Sequence, residues 1–151
     1  MTRTLRIGVL VGVVLALLLQ ASPQAVGTVT ITVTTASDIR TTRYSLAWVS
    51  DASGNVNTNP FTPVQGQLTQ IKFIPDGGGT APTALYDVVL NDANGIDYLG
   101  GAGANLSATV STQVRVAAPL LYDGVSTLDL NVTNSGVSKG GTVQLWFQKS
   151  P

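Results

Sequence analysis

Thr28-Val29-Thr30-Ile31-Thr32-Val33-Thr34-Thr35 decides the fold. Apolar and hydroxyl side chains alternate along it. Successive side chains of a strand point to opposite faces, so the stretch predicts a half-buried strand with Val29, Ile31 and Val33 on its core side. The same period of two returns downstream. Tyr44, Leu46 and Trp48 share one parity, followed by Ile71 and Phe73, then by Tyr86, Val88 and Leu90. Val110, Val114 and Val116 share another, as do Leu128, Leu130 and Val132, and finally Val143, Leu145 and Phe147.

Turn signals separate these runs: Asp51-Ala52-Ser53-Gly54, Pro75-Asp76-Gly77-Gly78-Gly79, Asn94-Gly95, Asp123-Gly124, Asn134-Ser135-Gly136 and Gly140-Gly141. Asn-Gly and Asp-Gly suit turns that need positive φ. No stretch past residue 26 carries a helical period of useful length, and there is no tandem repeat. The expected fold is all-β, an antiparallel β-sandwich of jelly-roll or Ig-like type with about seven to nine strands. The predicted core is Tyr44, Leu46, Trp48, Tyr86, Val88, Leu90, Leu128, Leu130, Val132, Val143, Leu145 and Phe147, because these share strand parity within each run.

The opening segment is of another kind. Arg3 and Arg6 precede an unbroken apolar run, Ile7–Leu19, and Gln20-Ala21-Ser22-Pro23-Gln24-Ala25 follows. Basic, apolar and small-residue regions in that order describe a secretory signal. The run falls short of the roughly 20 apolar residues of a membrane-spanning helix. A cleaved signal, a retained membrane anchor, and a misassigned start or packed virion segment all stay open. The chain therefore divides into an apolar segment, 1–25, and one β-sandwich domain, 26–151.

The 151-residue chain has no His, no Cys and no Glu, and its eight acidic residues are all Asp. General acid–base work draws mostly on His or Glu, and activated nucleophiles need an adjacent base. Zinc and most transition metals want Cys or His. No enzyme and no cofactor is expected. Charged residues make up 11% of the chain, well under the roughly 25% of an ordinary globular protein, so hydroxyl and amide side chains must wet the surface. Net charge is zero and the cations are spread along the sequence, so nucleic acid is not an expected partner. Scattered cations also imply association through apolar and hydrogen-bonded contacts that vary little with salt.

Four places invite a chemical reading. Asn91-Asp92-Ala93-Asn94-Gly95-Ile96-Asp97 is the densest cluster of oxygen ligands, but it lacks the EF-hand order and its distal Glu, and a turn with Asn94-Gly95 at its tip is the plainer reading. Gly100-Gly101-Ala102-Gly103-Ala104-Asn105 lacks phosphate-loop spacing and opens onto no helix, which leaves a loop between strands. Ser with Lys72 or Lys139 is a formal nucleophile–base pair, yet Ser138-Lys139 lies in a Gly-rich turn where a solvated charge is expected. Trp146 lies on the parity opposite Leu145 and Phe147 and is the candidate contact residue on the outer sheet surface, unless a loop or the N-terminal segment covers it. No catalytic, cofactor-binding or metal residue is expected. Asn105-Leu106-Ser107 and Asn131-Val132-Thr133 match the glycosylation sequon, as chance allows in so polar a chain.

Four blocks together carry a resemblance. They are Trp48-Val49-Ser50-Asp51-Ala52-Ser53-Gly54; Ala81-Pro82-Thr83 with Tyr86-Asp87-Val88 and Leu90; Asp92, Gly95-Ile96-Asp97 and Leu99 with Gly101 and Gly103-Ala104-Asn105; and Leu128, Leu130, Val132 and Asn134-Ser135-Gly136 with Gly141 and Val143. Over residues 28–148 the chain resembles a family of small tailed-phage virion structural proteins of the capsid-decoration or head-fibre type. Members of that family usually begin near the first strand, so the apolar leader departs from the pattern.

The resemblance implies a non-enzymatic structural protein of a phage particle, a decoration, cement or minor head protein located in the virion. Its implied partners are the major capsid protein or other virion subunits, with a homo-oligomer expected and a trimer natural at capsid three-fold positions. The alternatives are a secreted or membrane-anchored binding module, with Ile7–Leu19 leaving membrane attachment open, and a receptor- or carbohydrate-binding tail component.

Overall fold

The computed structural model describes residues 26–35, 40–57, 59–116 and 121–149. The readings placed on Ile7–Leu19 and the rest of segment 1–25 lie outside the described residues. The described residues form nine strands: β1 (Thr28–Thr35), β2 (Thr41–Val49), β3 (Pro60–Phe61), β4 (Gly66–Pro75), β5 (Asp87–Asp92), β6 (Thr112–Arg115), β7 (Leu121–Tyr122), β8 (Leu128–Thr133) and β9 (Gly140–Gln148). A single 3-10 turn, Gly78–Thr80, follows β4. A six-stranded sheet runs β1-β2-β9-β4-β6, with β7 also paired to β4, and a three-stranded sheet runs β3-β8-β5. Every pairing is antiparallel. The protein is an all-β sandwich.

The inner faces follow the predicted parity. All the predicted core residues are buried, from Tyr44 on β2 to Phe147 on β9. Leu68, Ile71 and Phe73 of β4 join them, with Val56, Phe61, Leu99, Leu106 and Tyr122 from the short strands and loops. Aromatic rings tie the two layers together. Trp48 meets Tyr86 with ring centres 5.7 Å apart, and Tyr44 meets Phe61 at 5.8 Å and Phe147 at 5.7 Å. These spacings fall in the range where tilted and edge-on ring pairs attract. The Trp48 ring lies against the backbone of β9, where a Cβ on Gly141 would come within 2.8 Å of it. Glycine in mid-strand is required there by the close approach of the ring.

One reading of the strands needs correction. Val110 is not on a strand. It stands 62% exposed in a bend held by Ser107, whose Oγ accepts N–H bonds from Thr109 and Val110, and β6 begins two residues later. The hydroxyl offers the backbone a local alternative to the ladder, and the shared parity of Val110 with Val114 is coincidental. β3 and β7 have only two residues each, too few to show a period.

Candidate functional site

Four Asp residues, Asp51, Asp92, Asp97 and Asp123, are engaged mainly by their own loops, and Asp87 by more distant ones. Asp51 Oδ1 accepts from the N–H groups of Ser53 and Asn55. Asp92 Oδ1 accepts from those of Asn94 and Ile96 at 2.9 Å each. Asp97 Oδ1 accepts from Leu90 and Leu99, and its Oδ2 from Gly101 at 2.8 Å. Asp123 Oδ1 accepts from Val125 and Ser126, and its Oδ2 from the Ser126 hydroxyl. Asp87 Oδ1 accepts from Asn105 N–H, and its Oδ2 from the Asn134 amide. A short carboxylate reaches backbone donors two to four residues away, which a longer Glu does less well. This suits Asp rather than Glu at positions 51, 92, 97 and 123. The backbone and side-chain bonds that Asp123 accepts hold its carboxyl below the ordinary 3.8.

The oxygen cluster Asn91–Asp97 is a turn. Gly95, at φ 81°, donates to Asp92 O at 3.0 Å, and Asp92 N–H donates to Ile96 O at 3.1 Å. Its two carboxylates turn toward different backbone donors rather than toward one point. Among the described residues no group of three or more Asp side chains is placed to share a metal ion. The Gly-rich stretch that follows packs flat on β5. A Cβ on Gly103 would lie 2.1 Å from Val88 O, and Gly103 O accepts the Val88 N–H at 2.8 Å. Gly103 serves this close packing, and Gly100 and Gly101 supply positive φ.

Ser138-Lys139 belongs to the end of the sandwich where the β2–β3 and β8–β9 turns dock. The Lys139 ammonium donates to Gly79 O at 2.7 Å. The buried Ser50 hydroxyl donates to Gly136 O at 2.6 Å and accepts from Lys139 N–H, while the Ser135 hydroxyl donates to Gly54 O. These hydroxyls hold turn to turn. Lys72 lies elsewhere, on the outside of β4. Of the two sequons, Asn105 is exposed in its loop at φ 52°, and Asn131 is half-buried in β8.

The remaining side chains with chemistry to offer gather on the outer face of the six-stranded sheet. Register places Thr34, Arg43, Trp146, Gln70 and Arg115 in one row across β1, β2, β9, β4 and β6. The next row is Thr32, Ser45, Gln144, Lys72 and Gln113. Trp146 is half-buried there, and with Thr34, Thr41 and Arg43 it lines an open hollow of about 190 Å³. Arg43 Nε is buried without a hydrogen-bond partner. A β-bulge in β4 sits beside Trp146, and the Thr69 hydroxyl within it donates to Trp146 O at 3.2 Å. Bulges of this kind re-aim side chains and are common next to functional surfaces.

Three of the eight cations thus come together in space. Arg43, Lys72 and Arg115 share one face, and the strands that build it contain no acidic residue. The strands of the three-stranded sheet carry only Asp as charged residues: Asp87, Asp92 and Asp129. Asp129 Oδ1 is, like Arg43 Nε, a buried atom without a partner. The outer face is thus locally cationic. Residues far apart in sequence are brought together by the β2-β9-β4-β6 order, so no local signal announces the patch. Comparison of the chain with protein-family models, curated proteins and solved structures gives no match.

Proposed function

We propose that the protein is a non-enzymatic structural component of a phage particle, a capsid decoration, cement or minor head protein that stabilises the assembled shell. The observation that carries this reading is the division of labour among polar groups. The carboxylates of Asp92, Asp97 and Asp123 are engaged by loop backbone, whereas the outer sheet face presents Trp146, Arg43, Lys72 and Arg115. Such a face suits a contact with another protein surface better than it suits chemistry on a small substrate, for which a deep, converging pocket is usual. The resemblance drawn from the sequence blocks points to the same reading. A subunit that binds only the assembled lattice draws the equilibrium toward that lattice by mass action. The proposed partners are the major capsid protein and sister subunits, and the location is the virion.

The Ile7–Leu19 run favours a second reading, a secreted or membrane-tethered binding module that uses the same face. Two measurements separate them. Proteomics of purified particles detects the chain under the first reading. Under the second, particles lack the chain, and intact mass shows residues 1–25 removed in a secreted protein or retained in a tethered one.

A further inference from the structure

We infer that β1 is a self-pairing edge, through which two copies of the chain join antiparallel about a two-fold axis at Ile31. The inference stands apart from the virion reading. β1 ends the six-stranded sheet, and among the described residues no strand pairs with its other edge. Natural edge strands are protected by brevity, Lys, Pro, bulges or cover. β1 has eight residues, no charge and no Pro, and its register with β2 runs without a shift. It has the makings of a template for strand addition.

The sequence names the occupant. Thr28-Val29-Thr30-Ile31-Thr32-Val33-Thr34 reads the same in both directions. In an antiparallel pair centred on Ile31, Thr28 meets Thr34 of the second copy, Val29 meets Val33, Thr30 meets Thr32, and Ile31 meets itself. Apolar residues then pair on the core side and threonines on the outer side, as an isologous interface requires. Val33 is on the core-facing side yet 53% exposed, because the smaller opposing sheet does not cover it. The second copy's Val29 would lie against it. No like charges meet across the seam, since the nearest cation, Arg43, is beside Thr34, whose counterpart is the second copy's Thr28. The paired stretch is about 23 Å long at roughly 3.3 Å per residue, a modest interface suited to a reversible dimer.

The test is sedimentation velocity of the full chain over a concentration series. The wild type is expected to pass from monomer to dimer. Thr30 and Thr32 are exposed beside Ala47 and Ser45 of β2, so charge placed there leaves the core alone. The variant Thr30→Lys/Thr32→Glu sets opposite charges against each other twice and should still dimerise. Thr30→Lys/Thr32→Lys sets like charges together and should dimerise at least ~10-fold more weakly. Equal thermal unfolding of the two variants shows that both remain folded. In this cysteine-free chain, Ile31→Cys should cross-link under mild oxidation and Thr30→Cys should not, because only residue 31 meets its own copy. A wild type that stays monomeric throughout, as when residues 1–25 of the same chain cover the edge, would overturn the inference. So would a trimer, equal behaviour of the two charged variants, or equal cross-linking at positions 30 and 31.

Discussion

The loops around the three-stranded sheet and the outer face of the six-stranded sheet are both rich in polar side chains, yet they use them in opposite ways. In the loops, carboxylates accept backbone hydrogen bonds within two to four residues, as Asp92 does from Asn94 and Ile96. On the sheet face, Arg43, Lys72 and Arg115 stand with Trp146 and three glutamines, and no acidic residue lies among them. Polar groups of the first kind fix a conformation. Those of the second kind line an outer sheet face. The contrast teaches that an acidic cluster in sequence is here a sign of loop architecture, while the contact surface is assembled from residues that no motif connects.

If that contrast is right, stability should be concentrated on the loop side. Gly103→Ala drives a Cβ into Val88 O and should cost roughly 3–5 kcal/mol in denaturant unfolding, because backbone rather than a flexible side chain must move. Asp97→Ala leaves three backbone donors, those of Leu90, Leu99 and Gly101, without their acceptor, and should cost roughly 2–3 kcal/mol. Neither change touches the outer sheet face. A stable Asp97→Ala protein would break the claim that the carboxylates are structural.

A pH titration sharpens the comparison from the core side. Burial first, and Asp76 second, push the Tyr86 hydroxyl up to about 12 from the ordinary 10.0. Burial, reinforced by Asp123 and then by Tyr98 and Tyr44, pushes Tyr122 up to about 12 as well. The folded state therefore keeps protons that the unfolded chain releases near pH 10. This contribution to stability is complete below pH 10 and is lost as pH rises toward 12. Tyr122→Phe should reduce the alkaline decline seen by circular dichroism, although it also removes the hydroxyl that donates to Ser126 O. Asp123 works in the other direction. Its lowered carboxyl favours the folded state above the ordinary Asp range and loses that contribution as pH falls below it.

Smallest of all should be the stability effect of changes on the outer face. Arg115→Ala removes an exposed cation and should shift unfolding by no more than about 0.5 kcal/mol. Its effect should appear in binding, as a shallower salt dependence between roughly 50 and 300 mM, since exposed charges are screened over that range.

Much of the core was legible because its strands face solvent on one side and the core on the other. Leu128, Leu130 and Val132 declare their parity within five residues, and so do Val143, Leu145 and Phe147. The Asn94-Gly95 and Asp123-Gly124 turns were legible because positive φ has few sequence solutions, and Gly95 and Gly124 both adopt it. What escaped was non-local. The two-residue strands β3 and β7 owe their existence to neighbours. The bulge at Thr69 depends on how β4 meets β9. Trp146 was placed on the outer face by parity alone, but Arg43, Gln70 and Arg115 join it only through the order of four strands. The even spread of cations along the sequence said nothing about their shared face.

The central claim is that this face, with Trp146 in it, is where the protein meets the particle. Its most direct test is the number of copies retained on purified particles for wild type and Trp146→Ala, with matching unfolding curves as the control for folding. The account predicts that the variant's occupancy falls by roughly tenfold or more under subsaturating conditions, as loss of a central aromatic contact does, and that wild-type occupancy declines as salt rises. A folded Trp146→Ala protein that loads particles as the wild type does, with no response to salt, would contradict it.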